Sequence, residues 1–376
     1  MGKKQNKKSF SNFINNPLDF TLVIDIFLLL GIGLVMVLSA SSPSALAKNN
    51  NSYYYFIRQL VFAVLGIFAM FAISRTDYRK YQKFYKQAYW LSIILLVAVL
   101  IVGKEVNGAK RWIFITNKFS FQPSELVKIL VIIFYAEFLS KDRKELPYFW
   151  KGMIKHFLCI APIVVLLLLQ PHLSATMVIL SIVVIMMIVA GCKLKDFIIA
   201  GLIVGVPGLA GLIAFEPYRL QRFATFLDPF KDKTGSGWQV VQSLYAIGSG
   251  GIFGVGLGES KQKYLYIPEP QNDFIFSIIA EELGFVGCTI ILILFAILIW
   301  RGVLIAMKAP DMFGSLIAIG ITSMIAVQVI LNVAVVTSSI PATGIPLPFF
   351  SYGGTALFVL LCEMGILLNI SRAGTK

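Results

Sequence analysis

Charged side chains are scarce in this chain of 376 residues. They make up 14 % of the sequence, whereas an average soluble domain has about 25 %. Hydrophobic residues reach 57 %. The chain also lacks a long polar stretch outside the connections between apolar runs, which excludes a separate soluble domain. These absences predict a membrane protein built as one polytopic unit.

Paired cysteines and a signal-peptide cleavage site are absent as well. The cysteines stand singly in apolar runs, so we expect reduced packing residues rather than disulfides or a metal site. They are Cys159, Cys192, Cys288 and Cys362. The first apolar run is too long for a signal-peptide core, and no small-residue cleavage site follows it. We therefore expect this run to remain as the first helix.

Long hydrophobic runs are what the chain does contain. Most of them approach the roughly 20 residues that a helix needs to cross a bilayer. They lie near 19–39, 57–74, 87–103, 122–140, 156–170, 173–191, 197–215, 273–300, 313–336 and 349–370. They predict an all-α membrane protein, a polytopic bundle of about ten transmembrane helices, with a long extracytoplasmic loop between helices 7 and 8.

The distribution of lysine and arginine predicts the orientation. A net charge of +14 would suggest nucleic acid as the partner of a soluble protein, but in a membrane protein it indicates sidedness. If ten segments alternate, most cations and both termini share one side, which we predict to be cytoplasmic. The expected organisation is a basic cytoplasmic tail at 1–18, one membrane domain at 19–371 and a cytoplasmic tail at 372–376. No nucleic-acid partner is expected.

The predicted outer loop at 216–272 is far longer than a bundle connection requires, which is typical of a functional segment. Within it, the pattern at 239–247 predicts a short amphipathic helix at the membrane interface. The glycines at 248–258 suggest a phosphate-binding loop, but no strand precedes them and no Gly-Lys-Ser/Thr follows. We interpret them as close-packing turns.

Ionisable side chains inside membrane segments are functional candidates because burying them is costly. Glu125 and Lys128 lie three residues apart on one helix face, where they could form a structural ion pair or a functional site. Asp25 and Glu137 lie near the ends of their segments, which favours interfacial positions. Glu363 is a further buried acid in the last segment.

Asp273 stands at the outer boundary of an apolar helix, behind Pro268 and Pro270. Two interpretations remain open, because a carboxylate there can cap the helix or act as a general base. Glu281 and Glu282 follow eight and nine residues later and face other directions, so they cannot form one site with Asp273. We expect buried pairing of at least one of them, with a proton path as the alternative.

A second outer group begins with two adjacent cations and an aromatic residue, Lys110, Arg111 and Trp112. Such residues can hold an anionic head group, phosphate or pyrophosphate, through charge-assisted hydrogen bonds. They are also common as interfacial anchors. Because cations are disfavoured on the outer side, their presence favours an anionic substrate.

Several short motifs, in order along essentially the whole chain, resemble the SEDS family (shape, elongation, division and sporulation), which includes FtsW, RodA and SpoVE. They are KRWI at 110–113, QPSEL at 122–126, PE at 268–269, DFIF at 273–276, EELGF at 281–285, PLPF at 346–349 and SYGG at 351–354. Within the family, the chain is most similar to the FtsW/SpoVE branch.

The resemblance implies a ten-helix peptidoglycan glycosyltransferase that polymerises lipid II outside the cytoplasmic membrane, in division or sporulation, beside a class B penicillin-binding protein and other membrane proteins of those processes. It assigns the family's essential aspartate to Asp273. Asp273 would deprotonate the acceptor sugar hydroxyl, with inversion at the donor's anomeric carbon. The expected substrate-binding residues are Lys110, Arg111, Trp112, Gln122, Ser124, Glu125, Lys128, Glu269 and Ser351. A divalent cation, Mg or Mn, is the expected cofactor, with Glu269 as a candidate ligand, and no organic cofactor is expected.

Three positions depart from the family pattern. Asn272 replaces the usual Thr before the aspartate and keeps a polar residue there. The short outer turn has His172 where family members commonly have Asp, which puts a role for that carboxylate in doubt. The late motif continues with Thr355 and Ala356 where two serines are usual, a change expected to affect packing only.

The main alternative is a transporter that flips lipid-linked precursors or couples a solute to protons. Glu125, Glu281 and Glu363 would then form its relay. A transporter needs a midplane site reachable from both sides, whereas here the polar loops, aromatics and cations gather at the predicted outer face. A scaffold for division partners is a third possibility, but it would not require Asp273.

Overall fold

Long helices make up most of the protein, joined by one small sheet. The computed structural model describes residues 16–106, 109–116, 119–205, 207–208, 211, 217–231, 237–264 and 266–374. The elements are α1 (Phe20–Asn49), α2 (Tyr54–Ser74), α3 (Arg79–Gln82), α4 (Tyr85–Val102), β1 (Lys104–Val106), β2 (Ala109–Thr116), β3 (Phe119–Phe121), α5 (Pro123–Lys141), a π-helical turn (Phe149–Ile154), α6 (Lys155–Leu169), α7 (Leu173–Ala190), α8 (Leu194–Ala200), a second π-helical turn (Gly201–Gly205), α9 (Pro217–Leu227), α10 (Trp238–Gly250), α11 (Ile275–Lys308), α12 (Met312–Val336) and α13 (Gly354–Gly374).

The membrane segments agree with the predicted bundle. Within the described residues, eight helices are long and apolar enough to cross a membrane: α1, α2, α4, α6 with the turn before it, α7, α11, α12 and α13. Helix α5 supplies the predicted fourth segment and packs among α4, α7 and α12. The predicted seventh segment, 197–215, begins in α8 and continues through the second π-helical turn, Gly201–Gly205; residues 206, 209–210 and 212–215 lie outside the described residues. The predicted class, an all-α polytopic membrane protein, is confirmed.

Helix α1 is longer than the predicted first segment, 19–39, and takes up most of the interval before the second segment at 57–74. It begins where the Asp19 carboxylate accepts a hydrogen bond from the Leu22 N–H, as an N-cap does. It ends at Asn50, which adopts a left-handed conformation with φ 52°. The helix continues to that point because Ser44 and Ala45 in its last turns are buried against the bundle.

Strands β1, β2 and β3, between the predicted third and fourth segments, form an antiparallel sheet in the order β1-β2-β3, where the all-α prediction placed no strand. Lys104 lies opposite Trp112, and Ile113 opposite Phe121. The signal in the sequence is the run of β-branched and aromatic residues at 112–116, which fits a pleated surface. No strand was predicted from this run because the protein was expected to be all-α.

The long loop before α11 carries two helices. The predicted amphipathic helix is confirmed as α10, which packs on α11 and joins α12 through a hydrogen bond from Ser243 Oγ to the Val336 carbonyl. Helix α9 was not predicted. Its residues include cations and aromatics as well as one apolar face. Because 216–272 was interpreted as a loop, this apolar face was not recognised as a helix signal.

Helix α11 is broken at Gly284, which has φ 65° and ψ −167°. The glycine-rich turns at 251–256 fill the break and exchange four backbone hydrogen bonds with it. The N–H groups of Val255, Gly256, Phe285 and Val286 donate to the carbonyls of Glu281, Glu282, Gly251 and Ile252 over 2.9–3.1 Å. The interpretation of these glycines as close-packing turns is therefore confirmed, since they bring backbone against backbone.

The carboxylates just before the break are both partnered. Glu282 lies 2.8 Å from Lys263 Nζ and accepts from Ser39 Oγ at 2.7 Å. Glu281 accepts from the backbone N–H of Lys261 at 2.9 Å and from Ser260 Oγ. The prediction that at least one of the two pairs inside the bundle is confirmed, and each serves to bind the loop to the break in α11.

Asp25 lies in the second turn of α1 and faces the packed side of the helix. Its side chain is 3 % exposed, and neither carboxylate oxygen has a hydrogen-bond partner among the described residues. Its position near the membrane interface stays a prediction. Glu137 is also buried, but its carboxylate is bonded to Gln82 Nε2 at 2.7 Å and to Lys141 Nζ at 2.9 Å.

Replacing Gly284 with alanine is expected to destabilise the protein. The backbone conformation at Gly284 is essentially restricted to glycine, and forcing another residue into it costs about 1–3 kcal/mol. The new Cβ would also lie 2.2 Å from the Gly254 nitrogen, so the turns would have to shift. Thermal unfolding of the purified protein in detergent checks this. Gly31→Ala is the matched control, because nothing lies within 4 Å of a Cβ there; an equal fall in both variants would contradict the prediction.

Candidate active site

Asp273 lies in the turn that enters α11, one residue before the helix N-cap. Phe274 occupies the cap position, and no side chain caps the first turn by a hydrogen bond. The helix-capping interpretation of Asp273 is therefore not supported. The carboxylate belongs instead to a small polar group between α11, α12 and the segment 338–353.

Four hydrogen bonds fix the backbone beside this carboxylate. Asn332 of α12, 1 % exposed, donates through Nδ2 to the carbonyls of Asp273 at 2.8 Å and Ile345 at 2.7 Å. Ser351 Oγ donates to the Asn272 carbonyl at 2.6 Å, and the Tyr352 N–H donates to the Gln271 carbonyl at 2.7 Å. The late SYGG motif thus holds the turn that carries Asp273 by hydrogen bonds to the backbone carbonyls of Gln271 and Asn272.

The buried amides in this support were not found from the sequence. Besides Asn332, Gln59 of α2 is fully buried; its Nε2 donates to the Ser351 carbonyl at 3.2 Å and its Oε1 accepts from the Gly353 N–H at 3.1 Å. The available signal was an amide within an apolar helix, where an unpaired polar group is costly. The cost of burying a charge, which selected the ionisable candidates, does not apply to a neutral amide.

Some of the groups around Asp273 raise the pKa of its carboxyl and others lower it. Burial raises the pKa of Asp273 above its ordinary value and the charge of Glu269 adds to this, while its own backbone N–H and Arg222 lower it. One carboxylate oxygen lies 3.1 Å from the point that a Cβ on Gly344 would occupy. Gly344 has φ 67°, so a glycine lets the backbone approach the carboxylate closely.

Glu269 lies in the same turn but faces outward. It has a positive φ of 47°, accepts from Asn272 Nδ2 at 2.9 Å and pairs with Lys48 at the end of α1 over 3.2 Å. Both members of this ion pair are about half exposed. The carboxylate is thus near Asp273 and available to a ligand from outside only in competition with Lys48.

A cavity lies beneath the segment 346–353 and brings together three of the predicted binding residues: Glu125, Lys128 and Ser351. Its volume of about 50 Å³ is enough for a few water molecules. Glu125 and Lys128 form the expected ion pair at 2.8 Å. Glu363 of α13 also lines the cavity, with one carboxylate oxygen unpartnered among the described residues.

The residues of β2 separate into two groups. Lys104 and Glu105 pair with Trp112 and Lys110, so β2 has a bulge at Arg111 between these two pairs. Lys110 is exposed, while Arg111 donates to the carbonyls of Gln170, at 3.4 Å, and Pro171. Trp112 is partly buried. The two adjacent cations thus differ in their surroundings.

The QPSE motif opens α5. Gln122 Nε2 lies 3.1 Å from His172 Nε2, and Ser124 is buried with its hydroxyl unpartnered among the described residues. The pKa of His172 is lowered to about 3 by burial and by the charges of Arg111 and Lys128. A neutral imidazole therefore stands where family members commonly carry an aspartate.

Metal-binding groups do not converge in the described residues. They contain no group of three or more His, Cys, Asp or Glu side chains placed to hold a metal ion. The acidic side chains nearest the site, Asp273 and Glu269, belong to one turn, and Glu269 is already paired with Lys48. These residues alone therefore do not fit a complete site for Mg or Mn, which takes six oxygen ligands.

The cell cycle protein family FtsW/RodA/SpoVE matches residues 20–376 of the chain. The chain belongs to this family. It is 47 % identical to stage V sporulation protein E of Bacillus subtilis strain 168 over 356 residues, which cover 94 % of this chain and 97 % of that protein. It is 41 % identical to the probable peptidoglycan glycosyltransferase FtsW of Trichlorobacter lovleyi over 360 residues, 95 % and 94 % of the two chains.

Solved structures of the FtsW/RodA/SpoVE family have the same fold. A chain from a peptidoglycan synthase complex that coordinates polymerization and crosslinking superposes with a TM-score of 0.80 at 30 % identity, covering 96 % of this chain and 99 % of that one. The rod shape determining protein RodA of Thermus thermophilus gives 0.71 at 28 % identity, covering 96 % and 98 %. The predicted family and its multi-pass membrane fold are confirmed.

Proposed function

We propose that this member of the FtsW/RodA/SpoVE family polymerises lipid II into glycan strands, with Asp273 as the catalytic base. The enzyme class, peptidoglycan glycosyltransferase, is that of its FtsW relatives. One observation carries the assignment of the base: Asp273 is a carboxylate that does not cap its helix and is held by hydrogen bonds to its backbone. Burial raises its pKa, which makes a carboxylate a better proton acceptor.

The reaction assigned to Asp273 is a single displacement. The carboxylate takes the proton of the acceptor sugar hydroxyl as that oxygen attacks the donor's anomeric carbon. The bond from this carbon to the pyrophosphate oxygen breaks, and the undecaprenyl pyrophosphate leaves with the electron pair. Attack opposite the leaving group inverts the configuration. Because the departing group is already an anion, it requires charge stabilisation more than protonation.

The residues that bind the substrate remain part of this proposal. Lys110 is the exposed cation of β2 and can attract a phosphate. Lys128 lines the cavity beneath the SYGG motif and can contribute only if it leaves its ion pair with Glu125. Arg111 can contribute only if it leaves the carbonyls of 170–171. Trp112, Gln122, Ser124, Glu125, Glu269 and Ser351 complete the proposed set. We also propose that a divalent cation enters with the substrate phosphates, as Mg commonly does, and assign it no step.

The setting of the reaction is proposed from sequence and kinship. Both termini lie in the cytoplasm by the positive-inside rule, so Asp273 faces the outer side. The related complex performs polymerization and crosslinking, which supports a class B penicillin-binding protein as the transpeptidase partner of this chain. If the protein acts in division or in sporulation, other membrane proteins of those processes would also be its partners.

Polymerisation of purified lipid II tests the function. The protein is co-purified with its cognate penicillin-binding protein, whose transpeptidase site is inactivated, and products are separated by length. Long glycan strands are expected. If no glycan forms while lipid II moves between the leaflets of a liposome, the chain is a flippase, for which the relay predicted above is Glu125, Glu281 and Glu363. Of these, Glu281 is bound to Ser260 and Lys261, and Glu125 and Glu363 line the cavity.

A further inference from the structure

Arg222 of α9 and Asp273 both contact the short segment 342–344. Its Nη1 donates to the Ala342 carbonyl at 2.6 Å. Two residues further along, the position of a Cβ on Gly344 lies 3.1 Å from Asp273 Oδ2. The guanidinium and the carboxylate therefore both lie against 342–344, although they are 51 residues apart in the sequence.

The space around Arg222 is too small for a substrate. A polar cavity of about 40 Å³ lies between α9, α10 and the segment 338–342. It is lined in part by Arg222, Thr225, Gln239 and Ser338. Since each water needs about 10–15 Å³ of such space, the cavity has room for a few waters and none for a sugar or a pyrophosphate. Within this cavity Arg222 therefore meets its neighbours and water rather than a sugar or a pyrophosphate.

Few other charges face Asp273. The segment 337–350 has no ionisable residue, and α12 offers the neutral amide of Asn332. From its own turn, Glu269 opposes ionisation of Asp273, and Lys48 offsets Glu269 across 3.2 Å. Arg222 is the cation whose charge acts favourably on the aspartate.

We propose that Arg222 is a positioning residue for glycosyl transfer: it holds the segment 342–344 against Asp273 and places a positive charge on that segment. The inference rests on the proposed reaction at Asp273. It gives α9 an indirect part in the chemistry.

The sign of the effect on pH dependence follows from these charges. Burial and Glu269 raise the pKa of Asp273, and Arg222 lowers it. Removing the cation lets the pKa rise further, so the base stays protonated up to a higher pH. The acid limb of the rate profile then moves to higher pH. Removing Glu269 acts in the opposite direction.

The test is the pH profile of lipid II polymerisation by the co-purified complex, measured for Arg222→Gln, Arg222→Lys and Glu269→Gln. We expect the acid limb of Arg222→Gln to move up by about half to one pH unit, with the rate recovering at higher pH. Arg222→Lys keeps the wild-type limb, and Glu269→Gln moves it down. Lys231→Gln, which removes an exposed cation after α9, leaves the profile unchanged.

Two results overturn the inference: an equal loss of rate at every pH in Arg222→Gln, or an acid limb of Arg222→Gln that does not move. If Arg222→Gln does not fold, Arg222→Lys decides the question: the wild-type acid limb supports the inference, and a moved limb overturns it. Failure of the proposed function looks different: the wild type makes no glycan, or Asp273→Asn makes as much as the wild type.

Discussion

Asp273→Asn is expected to reduce lipid II polymerisation by about 10²- to 10⁴-fold, the usual loss when a general base is removed. The amide keeps the size of the side chain but cannot take the proton of the acceptor hydroxyl. The fold will survive, because Asp273 is held through its backbone carbonyl by Asn332 and does not cap α11. Glycan length and rate are measured with the penicillin-binding protein present.

The matched control is Asp228→Asn, which removes an exposed carboxylate after α9 and is expected to leave the rate unchanged. Thermal unfolding of both variants separates lost catalysis from lost structure. A folded Asp273→Asn protein that polymerises at the wild-type rate would contradict the assignment, and the base would then have to be sought elsewhere.

The sequence predicted what depends on local pattern. Apolar runs predicted the spans, because their lengths match the hydrocarbon thickness. The three-residue spacing of Glu125 and Lys128 predicted their ion pair, and the apolar period at 239–247 predicted α10. Asp273 was selected from the resemblance to its family, since its position alone favoured a helix cap.

The contacts that build the site could not be predicted, because they join residues far apart in the chain. Ser39 meets Glu282 across 243 positions, and Gln59 meets Ser351 across 292. Arg222 and Gly344 flank Asp273 only because α9 and the segment 338–348 meet there. The hydrophobic periodicity of a segment does not predict contacts between residues so far apart in the chain. Nor does the sequence distinguish Gly284, where α11 is broken, from the other glycines of the membrane segments.

Lys263→Met is expected to destabilise the protein by about 3–5 kcal/mol, the effect of breaking a buried ion pair from one side. Lys263 is 4 % exposed and Glu282 1 % exposed. Besides Glu282 at 2.8 Å, Lys263 Nζ donates to Ser39 Oγ at 3.2 Å and to the Gly258 carbonyl. Without it, Glu282 keeps a buried charge supported only by the Ser39 hydroxyl. The free energy of unfolding is measured with denaturant in detergent.

The double variant Lys263→Met with Glu282→Leu distinguishes a stranded charge from a lost packing contact. Removing both charges is expected to restore much of the stability, since a buried pair and a well-packed apolar pair are often similar in free energy. Lys48→Met is the control: its ion pair with Glu269 is half exposed, so the change is within about 1 kcal/mol. If the double variant is no more stable than Lys263→Met alone, the loss comes from the contacts with Ser39 and Gly258. The pair would then serve to hold the loop rather than to balance a charge beside the break in α11.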